Sequence, residues 1–136
     1  MHSSGDANTM SKLTHYDNVV EEVYSFFESE LERLTLMGMK KIILDLGFGF
    51  AKTSEQNFRL LEQLEEFNTF GYPQLVGISR KKMIQHVLEV SAEESLNGTS
   101  ILNTIALSKG GKILRVHDVR EAVEAIKLVS HFSFGS

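Results

Sequence analysis

Three stretches of this 136-residue chain set chemistry-bearing residues directly after apolar runs. In the first, Ile42-Ile43-Leu44 leads to Asp45 and then into a glycine- and phenylalanine-rich loop, Gly47-Phe48-Gly49-Phe50-Ala51-Lys52-Thr53. In the second, Leu75-Val76-Gly77-Ile78 leads to Ser79-Arg80-Lys81-Lys82, and in the third Ile113-Leu114 leads to Arg115, His117 and Asp118. The Asp45 carboxylate offers two acceptor oxygens, which suit a ligand edge bearing adjacent N–H donors, such as a guanidine-like heterocycle. Arg115 and His117, two positions apart and so on one face of a strand, form with Lys81 a cationic set suited to phosphate or pyrophosphate. The N-terminus of the following helix adds its dipole to that set. Gly77 has no side chain, so a flat ring can lie against the backbone there. His117 is also of a type that serves as a general acid or base, although the spacing does not demand it.

Each group has a plainer reading as well. Asp45 can cap its loop or pair with Lys52, and Arg115 and His117 can close ion pairs with Asp45 or Asp118. The basic run at 80–82 can in part be a solvated surface. Phe48 and Phe50 are either hydrophobic plugs or an aromatic wall for a ring-shaped substrate. What favours function is that three strand ends carry convergent polar groups, which packing alone does not require. His2, His15, His86 and His131 are scattered at expected loop or surface positions and make no metal constellation. The chain has no cysteine, which excludes disulfides, thiolate metal sites and thiol nucleophiles. There is no GxGxxG or Walker pattern.

The elements that must position these groups follow from periodicity. Residues 1–16 read as a polar loop. Val19, Val20, Val23, Phe26, Phe27, Leu31, Leu34 and Met37 recur at helical spacing, with Gly38 as a stop. A strand is predicted at 41–45, then a helix to about Phe67, opened by a Thr53/Gln56 capping box and facing inward with Phe58, Leu61, Leu64 and Phe67. A strand at 74–79 follows, then a short helix from Lys81 to Glu89, a second capping box at Ser91/Glu94, and a helix from about Gly98 to Ser108 stopped by Gly110-Gly111. The last strand is expected at 112–117, and Asp118/Glu121 opens a final helix with Val119, Val123, Ile126, Leu128 and Val129 on its buried side. Strand–helix alternation means a parallel sheet. Three such units make a thin sheet, so the pattern reads as an α/β fold forming part of a (β/α)₈ TIM barrel: three or four C-terminal βα units of a fold that typically takes ~250 residues. Alternation places Asp45, then Gly77 and Ser79, then Arg115 and His117 on the barrel's inward face, at the C-terminal strand ends where such barrels keep their chemistry.

Composition is ordinary for a globular domain, 42% apolar and 24% charged with a net charge of −4. Interspersed charges argue against a nucleic-acid surface. The N-terminal residues have no apolar h-region and no run approaches a membrane span, which makes a cytoplasmic protein the default.

Taken together, LDLGFGFAKT, LVGISRKKMI and ILRVHDVREAVEAI, in this order and spacing, resemble dihydropteroate synthase, and MHSSGDANTM resembles the segment after that family's fifth strand. The resemblance covers nearly the whole chain. It implies that residues 1–136 are the C-terminal part of a pterin-binding TIM-barrel domain. It further implies a transferase of folate biosynthesis that joins 7,8-dihydropterin pyrophosphate to p-aminobenzoate with release of pyrophosphate, and that sulfonamides inhibit. By the motifs, Asp45 would hold the pterin's amino-pyrimidinone edge and Gly77 would line its ring. Lys81 would lie against the pterin and the incoming arylamine and would be catalytic together with Asp45. Phe50 would wall the p-aminobenzoate pocket, and Arg115 and His117 would bind pyrophosphate. Lys82 would approach the p-aminobenzoate carboxylate. Mg²⁺ is implied as cofactor, with its ligand in the N-terminal half of the barrel, and a homodimer is implied for the full-length family. The family's Asp-Pro-Gly departs here to Asp45-Leu46-Gly47, which keeps apolar bulk but frees φ. The alternatives are another pterin-binding barrel of the methyltetrahydrofolate methyltransferase type, and a non-catalytic pterin-binding remnant or assembly module.

Overall fold

Asn18 opens the first regular element because its side-chain oxygen accepts the Val20 and Glu21 backbone N–H groups, satisfying two donors a helix start leaves free. The computed structural model describes residues 1–3 and 18–134, so most of the expected loop at 1–16 lies outside the described residues, as does His15. Helix α1 (Val19–Leu36) buries Val19, Val20, Val23, Phe27 and Leu31 and ends at Met37, with Gly38 following at φ +86°. Three short strands follow, β1 (Leu44–Asp45), β2 (Gln74–Val76) and β3 (Gly111–Leu114), all parallel and in the order β1-β2-β3. Leu44 pairs with Gln74 and Asp45 with Leu75, while Leu75 faces Ile113 and Val76 faces Leu114 across an irregularity between Gln74 and Leu75.

Between the strands lie α2 (Ser54–Glu62), α3 (Lys82–Leu88) and α4 (Leu96–Ser108), and α5 (Val119–Val129) follows β3. The Thr53/Gln56 capping box forms as predicted. The helix it opens stops at Glu62, however, and continues as 3₁₀ turns over Leu64–Phe70. Leu64 and Phe67 are both fully buried, so packing holds this tighter geometry until Gly71, at φ +76°, ends it. Ser91 and Glu94 bond side chain to side chain and open only a 3₁₀ turn at Ala92–Glu94, and α4 starts two residues earlier than expected.

Leu44, Val76 and Ile78 are the sheet's helix-side residues and sit in one core with Val23, Phe27, Leu60, Leu61 and Phe67. The opposite face is open, with Ile43 53% exposed. That is the face expected to line a barrel interior, and the chain is an α/β part-barrel. All three strands are shorter than predicted. Ladder bonding ends soon after the apolar runs, although Arg115 N–H still donates to Val76 O at 3.0 Å. One expectation is overturned at α5. Its buried face is Ala122 and Ala125, while Val119, Val123, Ile126 and Leu128 are exposed. Small residues let α5 approach α4 closely, and this turns the larger apolar stripe outward. No helix among the described residues is long and apolar enough to cross a membrane.

Candidate active site

The loop after β1 alternates its handedness. Gly47, Gly49 and Ala51 all have positive φ, at +70°, +84° and +54°. Glycine does this freely, whereas Ala51 carries strain. The Lys52 side chain pins the loop from beneath, donating from Nζ to Gly47 O at 2.8 Å, Phe50 O at 3.2 Å and His2 O at 3.4 Å. Burial lowers the Lys52 pKa to about 8, with nearby Asp45 opposing the shift. Lys52 therefore serves the loop carbonyls and not, as one sequence reading had it, an ion pair with Asp45. Asn57 Oδ1 accepts the Gly49 N–H at 2.9 Å. Leu46 is fully buried, so it does keep the apolar bulk at that position, and Phe48, 1% exposed, is a plug. His2 also belongs to this structure and is not the loop or surface histidine expected. Its backbone N–H donates to Asp45 O at 3.1 Å, its ring meets Phe26 edge-on, and burial lowers its pKa to about 4. Nothing local signals this contact, which spans most of β1's upstream chain.

At the strand mouths the expected residues do converge. Asp45 Oδ1 accepts the Gly47 N–H at 3.0 Å and Oδ2 accepts Arg115 Nη1 at 2.8 Å. The Arg115 guanidinium lies across Gly77 so closely that a Cβ there would stand 2.6 Å from Nη2. Lys81 Nζ donates to Phe48 O at 2.6 Å and sits 5.1 Å from the centre of the Phe50 ring. Burial first, and the Arg115 charge second, lower the Lys81 pKa to about 8. His117 is held through Nδ1, 2.8 Å from Ser79 Oγ, and not by Asp118.

Asp118 instead receives Arg80 in a two-pronged pair, Nε to Oδ2 at 2.8 Å and Nη2 to Oδ1 at 2.9 Å. This hydrogen bonding raises the Arg80 pKa and lowers that of Asp118. Arg80 also donates to Ala92 O and Glu93 O, and holds φ +54°. Of the basic run, Arg80 is thus a brace between loops, Lys81 faces the site, and Lys82 is exposed at its rim. Ser79, Arg80 and Lys52 stand out in the sequence, but their roles here, holding His117, bracing two loops and pinning the loop carbonyls, do not.

Beside Lys81 a cavity of about 420 Å³ is lined by Phe48, Phe50, Ser54, Asn57, Lys82 and His86, with Ser54 Oγ 2.9 Å from His86 Nδ1. A larger hollow of about 1040 Å³ lies at the opposite ends of the strands, around Tyr72, Pro73, Lys109 and Phe132, away from the converging groups. Among the described residues no three His, Asp or Glu side chains stand together as metal ligands, and Asp45 is engaged by Arg115 and Gly47. These residues do not form a Mg²⁺ site by themselves.

An open parallel sheet, helix-covered on one face and carrying a carboxylate, two cations and a bare glycine at its C-terminal strand ends, is a segment of an α/β barrel with polar groups at the end where such barrels keep their chemistry. The chain belongs to the family of pterin binding enzymes, whose model matches residues 1–117. It is 43% identical over 131 residues to the dihydropteroate synthase of Escherichia coli K12, a match covering 95% of this chain and 46% of that protein. Among solved structures, it resembles a dihydropteroate synthase from Yersinia pestis in a sulfonamide drug complex, with a TM-score of 0.92 and 38% identity, covering 96% of this chain and 48% of that one. It also resembles the Thermus thermophilus dihydropteroate synthase in complex with 4-aminobenzoate, with a TM-score of 0.88 and 38% identity over 93% of this chain and 52% of that one. The chain spans about half the length of the relatives it matches.

Proposed function

We propose that this chain carries the C-terminal part of the active site of a dihydropteroate synthase, with residues 1–136 forming that part of a pterin-binding barrel. The reaction is the condensation of 7,8-dihydropterin pyrophosphate with p-aminobenzoate to give 7,8-dihydropteroate and pyrophosphate, in folate biosynthesis. The observation that carries the reading is that Arg115 lies over Gly77 and bonds Asp45, with Lys81 within electrostatic reach of both charges. In the free chain the Arg115 guanidinium donates to Asp45, which is the kind of contact we assign to the pterin's amino-pyrimidinone edge. Substrate replaces that contact, its ring resting on Gly77, and Arg115 turns with His117 to the pyrophosphate. The C–O bond to pyrophosphate breaks, the leaving anion is stabilised by these donors, and the arylamine nitrogen then bonds to the pterin methylene and loses a proton. Lys81 lies between the two substrates, Phe50 walls the p-aminobenzoate ring, and Lys82 at the rim approaches its carboxylate. A sulfonamide would compete there.

Two further assignments belong to the same reading. The exposed stripe of Val119, Val123 and Ile126 on α5 is the homodimer face, and the protein is cytoplasmic.

Because the chain spans half its relatives' length, the test has two readouts. Turnover of dihydropterin pyrophosphate and p-aminobenzoate by the chain, abolished by Lys81→Ala and by Arg115→Ala, supports the synthase. Pterin binding without turnover supports a non-catalytic pterin-binding module. No pterin binding at all, in a folded chain, overturns the reading.

A further inference from the structure

Ser79 and His117 are tied twice. Ser79 Oγ lies 2.8 Å from His117 Nδ1 and also accepts the His117 backbone N–H at 3.2 Å. Ser79 is only 4% exposed, whereas the His117 ring is open to solvent. The contact is not a chance meeting of side chains. The next residues, Arg80 and Asp118, are joined by their own two-pronged pair and hold the two strand ends side by side.

A hydroxyl has one proton to donate and can accept two. Oγ accepts the backbone N–H and can accept a second bond, so either direction is open to the Nδ1 contact, but only donation from Oγ to Nδ1 also uses the hydroxyl proton. That makes Nδ1 an acceptor, so the neutral ring keeps its proton on Nε2. In the other tautomer Nδ1–H would donate to Oγ and strand a buried hydroxyl proton, a penalty that disfavours it about ten-fold or more. Nε2 then points away from the Ser79 contact, on an exposed residue two positions past Arg115 and beyond the end of β3. We propose that Ser79 is a positioning residue that fixes His117 in the Nε2–H form, so that even the neutral imidazole presents an N–H donor to an anion at the strand mouth. The use of that donor rests on the pyrophosphate site proposed above; the tautomer itself does not.

The test uses the ¹⁵N-labelled full chain. Imidazole nitrogen shifts at alkaline pH, where the ring is neutral, are expected to show His117 as Nε2–H in the native chain and in Ser79→Thr. In Ser79→Ala the Nδ1–H form becomes measurable. A native His117 in the Nδ1–H form, or an unchanged tautomer balance in Ser79→Ala, overturns the proposal. Calorimetric titration with inorganic pyrophosphate gives the second readout. Ser79→Ala weakens binding about 3- to 10-fold, and in a His117→Ala background it costs nothing more. An equal loss in both backgrounds means that Ser79 acts through general structure and refutes the positioning role. If pyrophosphate leaves the native chain and its His117 signals untouched, the anion-site reading fails, while the nitrogen shifts still decide the tautomer.

Discussion

Gly77→Ala separates what the fold needs from what the ligand needs. An added Cβ would stand 2.6 Å from Arg115 Nη2, 3.0 Å from Nε and 3.1 Å from Cζ. Ordinary contact is at ~3.5–4.0 Å, so the guanidinium must withdraw by about 1 Å. Arg115 is 49% exposed on its side chain and can move, at the expense of the 2.8 Å bond to Asp45. A pair this exposed is worth at most ~1 kcal/mol. Gly77 has no positive φ, so alanine also restricts the unfolded chain and returns ~0.4–1 kcal/mol. The two effects nearly cancel, and stability by urea unfolding should change by less than about 1 kcal/mol. A pterin ring resting on Gly77 meets the same methyl without room to withdraw, because Asp45 fixes its edge. Overpacking of this kind costs about 1–3 kcal/mol, or roughly 5- to 150-fold in Kd for a pterin measured calorimetrically. Unchanged pterin affinity in a folded Gly77→Ala chain would refute the placement of the ring. A stability loss above about 2 kcal/mol would refute the claim that Arg115 is what yields.

Three other outcomes are expected. Ala51→Gly relieves a left-handed alanine worth ~1–2 kcal/mol and gives back ~0.4–1 kcal/mol of chain entropy, a net gain of about 0–1.6 kcal/mol from which the loss of the buried Ala51 methyl, ~0.8 kcal/mol, is subtracted, so urea unfolding should show a change between about −1 and +1 kcal/mol; a loss above about 1 kcal/mol would mean that the loop is not strained there. The Lys52 pKa is depressed to about 8 in the fold against 10.5 for the free side chain, so between these values the unfolded chain binds the extra proton and stability rises with pH. The Lys52 share of this rise, at most ~3 kcal/mol, should be missing from the pH profile of Lys52→Met, which keeps the share of Lys81, likewise lowered to about 8; equal slopes in both chains would contradict it. For the proposed dimer, Ile126→Lys places a charge in the exposed α5 stripe and should shift sedimentation toward monomer while leaving the far-ultraviolet dichroism unchanged; persistence of the dimer would move the interface elsewhere.

Asp45, Lys81 and Arg115 came together at the strand ends as expected because the signal was local. An apolar β-branched run followed by Asp45, or by Arg115 and His117, fixes both the strand and the face from which each group emerges. The Thr53/Gln56 box was equally local and formed as read. What sequence did not carry was pairing at a distance. Ser79 meets His117 and Arg80 meets Asp118 across 38 residues, and those partners depend on the register of two parallel strands with an irregularity between Gln74 and Leu75. No turn specifies that register, since parallel strands are joined through a helix. Helix α5 shows a different gap. Periodicity located its apolar stripe correctly but could not say which stripe the same chain would cover, and close packing of Ala122 and Ala125 decided it.

The mouth of the sheet also reverses the sign of the chain. Overall the protein carries a net charge of −4, yet around Asp45 stand Arg115, Lys81 and Lys52. Lys52 is turned inward to three carbonyls, and Lys81 is pushed down toward neutrality by burial and by Arg115. Arg115 donates to Asp45. A neutral guanidine-like ring that takes the Asp45 oxygens displaces a contact worth at most ~1 kcal/mol, since the half-exposed guanidinium can turn to water. A ring that carries its own pyrophosphate supplies the replacement partner in the same event, beside His117. Under the proposed function, a ring that carries its own anion is favoured over the ring alone by about that same 1 kcal/mol at most, and it is the form the substrate takes in the proposed reaction.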